Sequence, residues 1–434
     1  METHDRKQQN GATALILQKA RETIMITKGK QFLYTFRREI LIFFLLFFTL
    51  LFQLPNELHA WNSAWYAMDY SLGFDSRLFI GSFLRLFYPD FLPADAAYTF
   101  VLLSLILLLI LLSYVFGCAL RRTEKTAAGK GLLLLVIFYL LCPGSPSYLW
   151  TSENMGRFDM YLLIMALAAI ICCIHMRSAR MQIISITIFG LIALSIHQAF
   201  MFLFFPLLFT LYLKTFEKEK TSHTHLIFAC MGMAAMAAAF LYFQLFSHIG
   251  IPSCEELVSL LSARTDLPVN ETALRFEYFT TTAQSSSELV FNQLGERIRY
   301  GVVTIFLLSP LAVLYCFLWN QILKSAEKKK KPLYILLLLS HLCFVPAFLM
   351  TIDWGRWFGA FLTMQALQII ILAAKKDVAV LSALSALENA FRQHSFLFLA
   401  AGAWIGSLQK FQATLLPNAP TFFASLYKLY RLLF

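Results

Sequence analysis

Residues 182–213 read QIISITIFGLIALSIHQAFMFLFFPLLFTLYL, 32 residues without a lysine, arginine or acidic side chain. As one helix, at about 1.5 Å per residue, the run would extend ~48 Å, against roughly 30 Å of bilayer hydrocarbon. Its division decides the sidedness of everything downstream. With a single crossing, the EKKKK cluster at 327–331 would face the side opposite the other basic segments. Two short helices meeting at His197 and Gln198 keep the basic clusters together, as the positive-inside rule requires. The reading adopted here is therefore two helices, with His197 in a re-entrant hairpin at or below the outer interface.

The same hydropathy argument, carried outward, predicts helices near 39–54, 98–120, 131–142, 159–174, 182–196, 198–213, 226–247, 301–323, 333–350, 357–374 and 395–412. The expected fold is an all-α polytopic membrane protein of about eleven transmembrane helices, with interfacial helices in its outer loops. Composition agrees: 59% of the residues are hydrophobic and 14% charged, against roughly 25% charged in a typical soluble protein. A water-soluble globule is excluded, and 43 Phe with long Leu/Ile runs exclude a disordered or fibrous chain. The eight cysteines lie almost all in apolar runs without CxxC spacing, so neither a disulfide framework nor a zinc site is expected. The N-terminal stretch lacks a signal-peptide core, so the first apolar run is read as a retained helix.

Charge orients the chain. Segments 1–38, 121–130, 175–181, 214–225, 324–331 and 375–394 hold 25 of the 36 Lys and Arg residues. They are expected to be cytoplasmic, with the N-terminus inside. Loops 55–97, 143–158, 248–300 and 351–356 contain eight Arg, no Lys and more than half of the acidic residues. These are expected outside. The organisation is thus a basic N-terminal segment (1–38), a transmembrane domain (39–412) and a C-terminal interfacial segment (413–434). The sequence pI near 9.2 reports topology and does not argue for nucleic acid.

Ionisable residues near hydrocarbon usually face a bundle interior or watery cavity. Here they converge on the outer side. The first outer loop carries Asp69, Asp75 and Arg77 before an amphipathic stretch, 78–87, suited to the membrane surface. ENMGRFD brings Glu153, Arg157 and Asp159 to the mouth of the fourth helix, and His197 and Gln198 join from the hairpin. Segment 248–300 adds Arg264, Arg275, Arg297 and Arg299, and TIDWGRW adds Asp353 and Arg356 between Trp354 and Trp357. Taken singly, each has a plainer reading. Asp159 suits a helix N-terminus, the tryptophans suit an interfacial belt, His197 suits a packed core, and the first-loop charges suit a solvated loop. The exclusive use of Arg favours bidentate binding of phosphate or carboxylate. Asn270-Glu271-Thr272 is a glycosylation sequon, relevant only in a eukaryotic secretory pathway.

First-loop acids after helix one, an interfacial helix behind them, a second-loop acid at Asp159 and a large later outer segment resemble the GT-C superfamily of integral membrane glycosyltransferases. The likeness is architectural and covers the first four helices best. It departs from the pattern in spacing Asp69 and Asp75 six residues apart and in lacking a large C-terminal soluble domain. The outer Arg and His residues also resemble O-antigen-polymerase-type and exopolysaccharide-polymerase-type proteins. The resemblance implies a polyprenyl-phosphate- or pyrophosphate-linked sugar donor, a glycan acceptor and a first-loop acid acting as base or metal-associated residue. A divalent metal ion is then a candidate cofactor, with no ligand set assigned.

On that basis Asp69 or Asp75 is the expected general base, with Asp69 favoured and Asp75 pairing Arg77. Arg77, Arg157 and Arg356 would hold phosphate, with Asp159, His197, Asp353, Trp354 and Trp357 lining the substrate site and Trp61 and Trp65 flanking the sugar. No nucleotide-binding loop is present. The expected role is cell-envelope polysaccharide or glycoconjugate synthesis in a bacterial plasma membrane. The alternatives are an O-antigen-type polymerase and a non-enzymatic transporter or flippase of lipid-linked glycans.

Overall fold

The computed structural model describes residues 31, 33–216, 223–279, 282–351, 353–411 and 430–432. Most of segments 1–38 and 413–434 lies outside these. The helices are α1 (Arg37–Gln53), α2 (Leu78–Arg85), α3 (Ala94–Arg122), α4 (Ala127–Leu141), α5 (Asp159–His175), α6 (Ala179–Ile196), α7 (Phe205–Phe216) and α8 (His223–Phe246). Then follow α9 (Cys254–Arg264), α10 (Thr282–Leu307), α11 (Ser309–Ser325), α12 (Lys331–Leu339), α13 (Phe344–Met350), α14 (Trp354–Ala374), α15 (Val378–Gln393) and α16 (Ser395–Gly406). The strands among the described residues are Gly73–Phe74 and His248–Ile249, an antiparallel pair joining segments 55–97 and 248–300.

The run at 182–213 divides where expected. Helix α6 ends at Ile196, His197 takes extended backbone angles, and Phe200–Leu203 and α7 follow. The chain reverses here, which brings the Thr187 hydroxyl to 2.7 Å from that of Tyr212.

Among the described residues, six helices are long and apolar enough to cross a membrane, or seven if one bent pair counts as a span, fewer than the eleven expected. The shortfall is mostly one of length. Helix α5 has 17 residues and α16 has 12, about 26 Å and 18 Å, short of the roughly 30 Å a full span needs. The run expected at 301–323 bends by 68° between α10 and α11. Pro310 explains it, since its ring cannot continue the preceding helix. Segment 375–394, expected as a cytoplasmic loop, is largely the helix α15. Its apolar face (Val380, Ala383, Leu384, Leu387) is buried, with α4 and α11 as its main neighbours. Gly131 of α4 permits this: a Cβ there would fall 1.9 Å from the Leu384 carbonyl oxygen.

Helix α14 is almost wholly buried and packs against α3, α4 and α7. A directional hydrogen-bond chain crosses the core beside it. Trp319 donates to Gln365 at 3.0 Å, Gln365 lies 2.7 Å from His341 Nδ1, His341 Nε2 lies 2.6 Å from Gln368, and Gln368 donates to Thr210 at 2.9 Å. Such interhelical bonds contribute roughly 0.6–2 kcal/mol each, and here they tie α7, α11 and α14 to the Ser340–Cys343 turn. Large apolar side chains such as Leu41, Phe44, Leu103, Ile110, Ile227 and Phe306 remain exposed, as suits a lipid-facing surface.

The helix ends sort into two groups. Arg38 contacts Glu124, Arg122 contacts the Ala374 and Ile174 carbonyls, and Lys214 contacts Asp377, which gathers the basic segments at one end. Loops 55–97, 143–158, 248–279 and 353–356 meet at the other. Asn62 donates to Met155 O, Ser63 to Pro268 O and Arg157 to Asp353.

Candidate arginine–carboxylate site

At that second end, Asp159 opens α5 and Arg356 lies in the first turn of α14. Arg356 grips Asp159 with two bonds, Nε to Oδ2 at 2.5 Å and Nη2 to Oδ1 at 2.9 Å, and reaches Asp353 through Nη1 at 3.1 Å. Arg157 donates to the same Asp353 oxygen at 2.9 Å. Two arginines and two carboxylates thus form one neutral, largely buried cluster. Burial would raise the Asp353 carboxyl, but Arg157 and Arg356 outweigh it and hold the group below the ordinary range. Trp357 lies under the Arg356 guanidinium, 5.0 Å from its ring centre. Trp354 turns away: its indole donates to the Phe348 and Thr351 carbonyls.

A second group lies on the first loop. Arg77 pairs with Glu277 at 2.7 Å and stacks over Trp65 at 5.2 Å. The expected Arg77–Asp75 pairing is corrected here, because from Arg77 the Asp75 carboxylate accepts the backbone N–H, at 2.7 Å, and not the guanidinium. A carboxylate folded back onto the amide two residues on forms a local turn, which leaves the guanidinium to Glu277. Tyr278 donates to the same Asp75 oxygen at 3.4 Å. Burial, the nearby Asp75 charge and that bond raise the phenol well above its usual value, keeping it a neutral donor.

His197 lies buried at the break that the first loop meets. Ser76, next to Asp75, hydrogen-bonds Gln198, which docks the first loop onto the break in the 182–213 run. Burial, then the positive charges of Arg77, Arg356 and Arg157, push the imidazole well below its ordinary value and keep it neutral. Arg157 and Arg356 share one carboxylate, whereas Arg77 is paired separately with Glu277. Tyr148 packs against Gly359, and its buried hydroxyl has no hydrogen-bond partner among the described residues.

Asp69 is held apart from this site. Its Oδ2 accepts from Arg85 at 2.5 Å and Arg264 at 3.0 Å, and its Oδ1 from the Ser71 amide at 2.7 Å. Burial alone would raise its pKa, but the bonds from Ser71 and Arg85 together with the Arg264 charge lower it. The adjacent groove holds about 20 Å³, room for about one water.

A divalent cation does not fit the donor set. No three His, Cys, Asp or Glu side chains gather to hold one among the described residues. Asp69, Asp159 and Asp353 are already committed to arginines. Asn270 of the sequon caps the turn Glu271–Leu274, accepting from the Ala273 amide.

Sequence reasoning missed Glu277, Tyr278, Tyr148 and Arg85, whose partners lie far off in the chain or carry no pattern. It also missed a lysine. Lys410, expected within the last span, lies beyond the end of α16, where its ammonium donates to the Cys142 carbonyl at 2.8 Å. Burial brings it down to about 8. The arginine-only rule for this end therefore holds for the loops but not for the site's surroundings.

The fold and site define a helical protein with several helices of membrane-spanning length and a buried ion-pair cluster where its loops converge. No family model matches the chain, and neither a curated protein nor a solved structure does.

Proposed function

We propose that the arginine–carboxylate end is a glycosyl-transfer site, taking its sugar from a polyprenyl-phosphate or pyrophosphate donor at the outer face of a bacterial plasma membrane. The observation that carries the reading is the buried cluster in which Arg157 and Arg356 share Asp353 and Arg356 also holds Asp159, together with the first loop, bearing Arg77 and Asp75, that docks through Ser76 on Gln198. In this reading the shorter helices complete eleven crossings between the basic and acidic ends, with the N-terminus inside.

The chemistry then follows the residues. The C1–O bond to the donor phosphate breaks, and its electron pair leaves with the phosphate, which the arginines stabilise. Asp353 is the counter-ion to be displaced, because it shares its charge between two arginines and its side chain is 21% exposed, against 1% for Asp159. The acceptor hydroxyl attacks C1 and passes its proton to Asp75, whose Oδ2 accepts no hydrogen bond from the described residues. Asp75 takes this role ahead of Asp69, whose oxygens are occupied. The reading involves no metal. Lipid-linked glycans extracted from cells lacking the protein test it: an accumulated donor or unextended acceptor supports the reading, and an unchanged profile removes it.

One observation favours a second reading, a transporter of lipid-linked glycans. Each of the three arginines is already paired with a carboxylate (Glu277, Asp353, Asp159), as in a closed gate. Purified protein that moves a labelled lipid-linked sugar across a vesicle bilayer without forming a glycosidic bond would decide for it.

A further inference from the structure

The opposite end of the bundle holds a different cavity, about 280 Å³, enclosed by the end of α7, the α11–α12 turn and the α14–α15 turn. Pockets for small ligands begin near roughly 300 Å³. Lys214, Lys330, Lys375 and Lys376 line it, with Glu327 and Asp377 as its acidic members among the described residues; the hydroxyls of Ser325 and Tyr334, also in the wall, donate to Ser382 and Asp377. Among the described residues the formal balance is four positive charges against two negative.

The floor is built rather than incidental. Lys214 and Asp377 are both buried and pair at 2.6 Å. Tyr334 donates to both Asp377 oxygens at 2.8 Å, and Asp377 also caps α15 through the Val380 amide at 3.0 Å. Asp377 is thereby saturated, and its charge is offset by Lys214. The mouth carries Lys330, Lys375 and Lys376 against Glu327, which stands 3.9 Å from Lys330. Among the described residues the lysines at the opening thus outnumber its one acid, and the Lys375 ammonium also donates to the Cys173 carbonyl at 2.9 Å.

Lys376 adopts a left-handed conformation, φ 57°, as the cap that ends α14: its amide returns to the Ala373 carbonyl and that of Asp377 to the Leu372 carbonyl. The cap sets a lysine at the rim of the cavity. Val378, also on the rim, leaves an apolar side chain 79% exposed, as suits a mouth that borders lipid.

We propose that this cavity binds a phosphate dianion, presented either as the headgroup of a membrane lipid or as a free phosphate compound. Lys330 and Lys376 contact the oxygens at the mouth, Lys375 adds charge beside them, and Ser325 lies within the same wall. The site is separate from the arginine–carboxylate end, so its failure leaves the glycosyl-transfer reading untouched.

The test uses the full chain in nanodiscs of neutral phosphatidylcholine, with the thermal midpoint as readout and potassium chloride of matched ionic strength as the reference. One arm adds inorganic pyrophosphate to the buffer, and the other builds phosphatidic acid into the disc. The comparison protein is Lys330→Gln/Lys376→Asn, both at the rim, with asparagine chosen because it tolerates the left-handed backbone. Saturable stabilisation is expected in at least one arm, with apparent affinity roughly fivefold weaker for each lysine removed. A response to pyrophosphate assigns the site to a free phosphate compound, and a response to phosphatidic acid alone assigns it to a lipid. No response in either arm, or an equal response from the double variant, overturns the proposal. If the double variant does not fold, Lys376→Asn alone replaces it under the same criteria.

Discussion

Arg356 and Asp159 stand 197 residues apart and meet through two parallel hydrogen bonds, 2.5 and 2.9 Å long, with Asp159 fully buried. This pair clasps the start of α5 to the start of α14. It also fixes the guanidinium plane over Trp357 and leaves Nη1 for Asp353. The clasp therefore has a structural role and sets the orientation of the proposed phosphate clamp at the same time.

Removing one partner of this pair strands a buried charge, which costs about 3–5 kcal/mol. Arg356→Ala and Asp159→Ala are each expected to lower the thermal midpoint strongly, and the double variant less than the sum of the two. Additive losses in a double-mutant cycle would show that the bonds are not coupled. Arg356→Lys keeps the charge but not the fork, so glycan synthesis should fall even where the protein remains folded.

The two first-loop acids should separate. Asp75→Asn is expected to cut glycan synthesis by about 10²- to 10⁴-fold, the usual contribution of a placed base. Asp69→Asn should instead lower stability through the loss of Arg85 and Arg264, with turnover per folded molecule near wild type. Rates measured on protein corrected for folded fraction decide this, and the reverse ranking would return the base to Asp69.

The pH dependence follows from His197. Its folded value lies below 6.5, so below pH 6.5 the unfolded chain takes up a proton that the folded one refuses. Stability from this group is therefore lost as pH falls under 6.5, by up to about 1.4 kcal/mol per pH unit. The lowered Asp69 and Asp353 values act in a different window, since their contribution is present above about 3.8 and lost as pH falls further. Between pH 6.5 and 4, the difference between wild type and His197→Asn should shrink as pH falls. A constant difference would mean that His197 titrates alike in both states.

Sidedness has a direct check. In a cysteine-free background, Asp90→Cys on the first loop should react with a membrane-impermeant maleimide added outside intact cells. Lys328→Cys in the basic turn before α12 should react only after the membrane is opened. Both positions are exposed, so access to solvent is not limiting. Labelling in the opposite pattern would invert the assignment of the arginine end to the outer face.

Much of the architecture was legible along the chain, because hydrophobic runs and charge distribution are local properties. The break at His197, the common end shared by the basic segments and the gathering of the acidic loops at the other end all follow from apolar length and the cost of placing charge in hydrocarbon. Amphipathic α15 reads as a loop in the sequence because Lys375, Lys376 and Asp377 precede it and Glu388 and Arg392 fall in its last two turns, and its partner face is visible only against Gly131 of α4. The pairing of the charges was out of reach. Asp75 and Glu277 are both acids within reach of Arg77, and a residue list does not say which one takes the guanidinium. That choice depends on the Asp75 turn closing on its own backbone and on the strand pair that brings segment 248–279 over the first loop. The chain thus determined by itself which residues lie at each end of the bundle, a matter of solvation that each segment settles alone. Only tertiary packing decided which carboxylate neutralises which arginine, because hydrogen bonds a few ångströms long are selected by the relative placement of helices hundreds of residues apart.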